Sequence, residues 1–175
     1  MLLFLAGCGD HQPLPPPGVG STVAVHIWDP GANEPTVVVA DRIRQEGLRI
    51  ERMLLDQVRA RVLWPNLDCS VSSPSGYWST STGLLTLIDP VHIAGTYQGH
   101  PMLGVATSAS MARDGHTIVL EHLELWYQGD LLTAPIAELR QEQGLVAPRG
   151  LTRETLPEEM RAVFAALPDP MAIPR

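Results

Sequence analysis

From Ser21 to Gly150 the chain alternates apolar and polar residues with period two, and turn signals break the alternation at intervals of about 8–15 residues. Successive side chains of a strand point to opposite faces, so a chain written this way can bury one face of a sheet and must wet or pair the other. The pattern predicts strands at 22–28, 36–40, 48–56, 57–64, 68–72, 77–82, 84–89, 91–97, 102–111, 117–128 and 131–140. Asp29-Pro30-Gly31, Ser73-Pro74-Ser75-Gly76, Asp89-Pro90, Gln98-Gly99, Asp114-Gly115 and Gln128-Gly129 read as turns. Two segments rich in helix formers, 40–61 and 134–143, are also assigned to strands, because Gly47 interrupts the first and Gly144 ends the second. The expectation is an antiparallel all-β sandwich, barrel or roll.

One segment has a different period. Over 155–167, Met160, Val163, Phe164 and Leu167 form one apolar stripe at helical spacing, Pro157 suits a first turn, and Glu158 and Glu159 follow it. Pro168 and Pro170 stop it, so a short C-terminal helix capping the β core or meeting a partner is expected.

The strongest local pattern is the strand pair around Gln128-Gly129-Asp130. Ile118 and Leu120 alternate, then Leu123 and Leu125 alternate with opposite parity, so a bulge at Glu121-His122 would keep both halves facing inward. Beyond the turn, Leu132, Ala134 and Ile136 alternate again; upstream, Leu85 and Leu87 lead to Val91 and Ile93. These eleven positions, Leu85, Leu87, Val91, Ile93, Ile118, Leu120, Leu123, Leu125, Leu132, Ala134 and Ile136, are the candidate inward face. Whether they fill a closed core or line a groove is open from alternation alone.

The composition narrows the function. The 175 residues suffice for one domain with a real core, and 45% hydrophobic against 18% charged residues is a globular balance. The net charge is −7, and all 12 cations are Arg. Such a chain, without a basic run, is a poor nucleic-acid binder, because phosphates need clustered cations. Six Arg (42, 44, 49, 52, 59 and 61) fall within 42–61, which reads as solvated strand faces or as a surface for anionic headgroups. No nucleophile elbow, phosphate loop or dinucleotide fingerprint occurs, and His116, Glu121, His122 and Glu124 lack the tighter spacing of zinc sites. No enzyme, cofactor or metal is therefore expected. Trp64, Tyr77, Trp78, Trp126 and Tyr127 read first as core or rim packing.

The amino terminus carries its own signal. Leu5-Ala6-Gly7-Cys8 has the shape of a lipoprotein cleavage box, and 10–20 (DHQPLPPPGVG) is a proline-stiffened spacer. The basic n-region is absent and the apolar run is short, so the true start is expected upstream. The domain reading is 1–8 truncated signal and lipobox, 9–20 linker, 21–150 β domain, and 151–175 helix and tail. If Cys8 carries lipid, Cys69 is a lone thiol best kept buried.

The body resembles the periplasmic lipopolysaccharide-transport proteins LptC and their LptA (OstA-like) relatives. The pieces that carry the resemblance are Val91-His92-Ile93-Ala94-Gly95, then Ala106-Thr107-Ser108-Ala109, then Val119-Leu120-Glu121-His122-Leu123, then the run from Gly129 to Ala137. It covers about residues 35–150 as a pattern of apolar, Gly and Ala positions. The resemblance implies an all-β jellyroll, an open V-shaped roll of two sheets, and a carrier that holds lipopolysaccharide acyl chains in an apolar groove. It implies an inner-membrane ABC transporter and other Lpt-type jellyrolls as partners, with periplasmic localisation. LptC-type proteins usually have an N-terminal membrane helix; here a lipidated Cys8 would supply the inner-membrane anchor. The rival reading is a structural lipoprotein whose sheet edge docks a protein partner and carries no lipid.

Overall fold

A computed structural model describes residues 23–27, 36–45, 52–112 and 115–165. They form strands β1 (Val23–Ile27), β2 (Thr36–Gln45), β3 (Arg52–Trp64), β4 (Leu67–Ser79), β5 (Leu84–Tyr97), β6 (His100–Met111), β7 (Thr117–Tyr127), β8 (Asp130–Arg140), β9 (Gly144–Val146) and β10 (Thr152–Thr155), then helix α1 (Glu158–Ala165). All ten strands belong to one antiparallel sheet that follows chain order from β1 to β8. Both β9 and β10 pair with β8, β10 along 130–133 and β9 along 138–140. Two-residue turns join β3 to β4, β5 to β6 and β7 to β8, and the last two carry Gly99 and Gly129.

One line across the sheet shapes everything else. Along β3 the chain buries Leu55, then Val58, Ala60 and Val62; along β7 it buries Ile118 and Leu120, then Leu123 and Leu125. The same step of three replaces the step of two at Ser73–Gly76 in β4, Ala106–Ala109 in β6 and Ala134–Ala137 in β8. In β5, Ile88, Asp89 and Pro90 all face out between buried Leu87 and Val91. The residues at the break stand near one another across the strands: Gln57, Pro74, Asp89-Pro90, Thr107, His122 and Pro135. Register slips between Ser72 and Ser75 and between Ile88 and Val91, and Gln57 and His122 take φ values of 52° and 49°. Three of the positions are prolines, which have no N–H to give to a ladder. A side chain three places on can return to the same face only where the strand itself bends. Every long strand therefore creases, and the sheet folds about the line.

The fold makes two half-sheets whose apolar faces meet. Half-sheet I holds β1, β10, the 36–40 stretch of β2 and the stretches of β3 to β8 nearest the β3–β4, β5–β6 and β7–β8 turns; half-sheet II holds the remaining stretches and β9. Ala60, Val62 and Val71 of half-sheet I enclose one small void with Leu85, Leu87, Ala109, Met111 and Ile118 of half-sheet II. Trp64, Leu67 and Tyr97 likewise meet Leu139 and Gly144. The approach at Gly144 leaves no room for a side chain: a Cβ there would lie 2.0 Å from the Tyr97 hydroxyl. The jellyroll is thus one sheet folded upon itself, with its two halves acting as the two sheets.

Side chains stitch the crease where the ladder lapses. Buried Ser73 can donate its hydroxyl to the Ser75 carbonyl at 2.7 Å or to that of Ile88, and accepts the Ser75 N–H at 3.2 Å. On the far side of β5, the Thr107 hydroxyl donates to the Glu121 carbonyl at 3.1 Å.

Three expectations change. Ser73–Gly76 and Asp89-Pro90 are not turns but bends inside β4 and β5, because their turn-forming residues serve the crease. Gln57 likewise lies within a single strand β3 rather than opening a second one. The sheet also runs past residue 150, since β10 adds to its edge. The 40–61 and 134–143 segments hold strands β2, β3 and β8, and α1 occupies the expected helical stretch.

Candidate functional site

The candidate site is the apolar space between the half-sheets. Of the eleven positions singled out, Leu85, Leu87, Val91, Ile93, Ile118, Leu120, Leu123, Leu125, Leu132 and Ala134 all face it, none more than 8% exposed. Ile136 does not. It is half-buried on the opposite face, and Ala137 and Leu139 take the inward places instead. The reason is the crease at Pro135, which shifts parity after Ala134 just as His122 shifts it in β7.

The candidate positions line both half-sheets, and residues outside that set complete the lining. Val38, Leu55, Val58, Val62, Cys69 and Val71 of β2, β3 and β4 join the same apolar cluster. Their signal was present in sequence as alternation along Val58, Ala60 and Val62. Burial pushes the Cys69 thiol up to about 12, with the nearby Asp68 charge adding to the rise, so it behaves as a small hydrophobe and not as a nucleophile.

At one end the packing opens. A cleft of about 270 Å³ lies among Tyr97, Met102, Leu125, Leu132, Leu139 and Leu145, with Asp130 and Arg153 at its polar side. That is slightly below the range of about 300–1,000 Å³ usual for small-molecule sites. Tyr97 and Tyr127 pack ring to ring with centroids 5.7 Å apart, and the Tyr127 hydroxyl donates to the Tyr97 carbonyl at 3.2 Å. Asp130 accepts from the Thr155 hydroxyl and from Arg153, and both hold its carboxyl below the usual range; the Arg153 and Arg161 charges act in the same sense.

The arginine-rich stretch sits on the outer faces. Arg44 meets Asp56 at 2.8 Å, Arg61 meets Asp68 at 3.1 Å and Arg59 reaches Asp41 at 3.4 Å. The Arg52 guanidinium lies 3.7 Å above the Tyr77 ring. These are exposed cross-strand pairs, worth little to stability. Arg49 and Cys8 lie outside the described residues. Among the described residues no group of His, Cys, Asp and Glu is placed to hold a metal ion. His116 instead bonds Gln141 at 2.7 Å and His122 bonds Thr107 at 3.1 Å. No helix among the described residues is long and apolar enough to cross a membrane.

The creased single sheet, with one continuous apolar face turned in, defines an LptA-type open β-jellyroll. In keeping with this, the chain is similar to the crystal structure of LptH, the LptA homologous periplasmic component of the conserved lipopolysaccharide transport device from Pseudomonas aeruginosa. The TM-score is 0.51 at 10% identity, over 70% of this chain and 96% of that one. No protein-family model and no curated protein matches the sequence.

Proposed function

We propose that the chain is a periplasmic lipopolysaccharide carrier that takes acyl chains between its half-sheets and passes them on. The observation that carries this reading is the single apolar face running unbroken from β2 to β8 and folded about a crease. An acyl chain moving through water loses about 0.8 kcal/mol of stabilisation per exposed CH₂, so a segment of about ten CH₂ units needs about 8 kcal/mol of cover. Leu, Ile, Val and Ala on two walls supply that cover without directional bonds, so release is as simple as uptake. In the closed arrangement the walls cover each other. Lipid entry therefore parts the half-sheets about the crease, where prolines and register slips already thin the ladder, and starts from the 270 Å³ cleft.

No step in this work breaks a covalent bond, and the side chains facing the interior are almost all hydrocarbon. A lipidated Cys8 with the spacer through Gly18 would hold the domain at the inner membrane, near an ABC transporter that loads it. Globomycin should then make an unprocessed precursor accumulate in cells; no change would remove the anchor. Native mass spectrometry of the purified chain titrated with lipopolysaccharide should give a one-to-one adduct that Leu87→Asp weakens at least tenfold. Equal adducts from both chains would refute the carrier reading. In the rival reading a sheet edge docks a protein and the interior stays closed, so no adduct forms at all.

A further inference from the structure

The two edges of this sheet are not alike. At the amino-terminal edge, β1 pairs with β2 and carries no strand on its other side among the described residues. At the other edge, β8 is covered twice by its own chain, by β9 over Glu138–Arg140 and by β10 over Asp130–Thr133. Between them lies Pro135, which offers no N–H.

Direction makes β10 informative. Neighbouring strands alternate from β2 to β8, so β2 and β8 run the same way. Since β1 is antiparallel to β2 and β10 is antiparallel to β8, β10 runs in the direction of β1. Both also lie on half-sheet I. If copies of this roll were laid edge to edge with the sheet continuing, β1 of the next copy would fall beside Asp130–Thr133. That is where β10 lies.

What holds β10 there is local and polar. All four of its residues are exposed, so it adds almost nothing to the apolar core. Its fastening is at Asp130: Arg153 forms an ion pair with the carboxylate, Thr155 donates its hydroxyl to it, and next door the Leu156 N–H bonds the Gly129 carbonyl at 3.1 Å. Leu156 is buried and anchors the strand's far end.

We propose that β10 is a self-complementing strand that occupies the β8 edge, so that β1 of a second copy cannot pair there and a second copy joins the folded chain β1 to β1. Growth from β1 onto β8 is a head-to-tail contact that repeats without limit, whereas β1 paired with β1 of a second copy is two-fold and stops at a dimer. The cap therefore sets the chain as a terminus and not a link. This inference does not depend on lipid carriage, and its assay reads mass and not lipid.

The test uses the full chain with Cys8→Ser, examined by analytical ultracentrifugation over a hundredfold range of concentration. The parent should never exceed twice its 19.0 kDa. Arg153→Glu sets two carboxylates against each other at the cap; it should expose the β10 amides to hydrogen exchange and let the mass climb with concentration past the dimer. Adding Thr133→Cys and Thr152→Cys, which are register partners at a separation a disulfide can span, should return the oxidised Arg153→Glu chain to dimer or smaller, and reduction should restore growth. Aggregates of misfolded chain would not reverse in this way. The proposal is overturned if the parent grows past a dimer, if the β10 amides stay protected in Arg153→Glu, if they are released without growth, or if the oxidised lock leaves growth unchanged.

Discussion

Ser73→Ala is the sharpest probe of the crease. Ser73 is 4% exposed at the point where β4 loses register with β5, and its hydroxyl serves the Ile88 and Ser75 carbonyls and the Ser75 N–H. The substitution keeps the small volume and removes only oxygen. It leaves one carbonyl and one N–H short of a partner, each costing about 1–3 kcal/mol if water stays out. The site is partly buried, and alanine avoids desolvating a hydroxyl, so the low end applies and the sum is about 2 kcal/mol. For a chain of this size that lowers Tm by about 4–8 °C. Urea unfolding gives the free energy, and hydrogen exchange at Ser75 gives the locality. Ser72→Ala, one place along and facing outward, should stay within about 0.5 kcal/mol of the parent. Equal behaviour of the two variants would refute the claim that side chains replace the ladder at the crease.

Other outcomes follow from single positions. Gly95→Ala should lower Tm by at least as much as Ser73→Ala, because its Cβ would lie 2.1 Å from the Asp68 carbonyl and 2.6 Å from the Cys69 Cα, and backbone cannot step aside cheaply; a Tm within 2 °C of the parent, by the scale of about 2–4 °C per kcal/mol, would contradict it. Asp130 has its folded pKa lowered by Thr155 and Arg153, so its contribution is full above the unfolded carboxylate value of about 3.9 and is lost as pH falls through the folded value. The stability gap between the parent and Asp130→Asn, read from urea midpoints, should hold constant from pH 7 to about 5 and shrink below about 4. In a Cys8→Ser background, Cys69 should resist a thiol-specific dye at pH 8 until urea unfolds the chain; prompt labelling of native protein would show that the walls stand open.

Much of this architecture is written in the alternation, and the failures are equally specific. The crease in β7 is legible because Leu120 and Leu123 are both large and apolar with Glu121 and His122 between them. In β4 and β5 the same device uses Pro74 and Pro90, and proline marks a turn and a bend alike, so two turns were expected where strands continue. Ile136 misleads because Leu132, Ala134 and Ile136 alternate without a break, whereas the buried set shifts parity between Ala134 and Ala137, and only the folding of neighbouring strands decides between the two. Strand β10 left no pattern, since Thr152–Thr155 is exposed throughout and is held by a distant carboxylate. Sequence gives the apolar face well; it cannot say whether that face ever opens, because a groove and a core use the same residues.

The most direct measurement is therefore a scan along β7 in living cells with a photo-crosslinking residue. Lipid carried between the half-sheets predicts lipopolysaccharide adducts at Ile118, Leu120, Leu123 and Leu125, with the step of three at the crease, and none at Val119, Glu124 or Trp126. Adducts at both sets, or protein adducts alone at the inward set, would contradict the account.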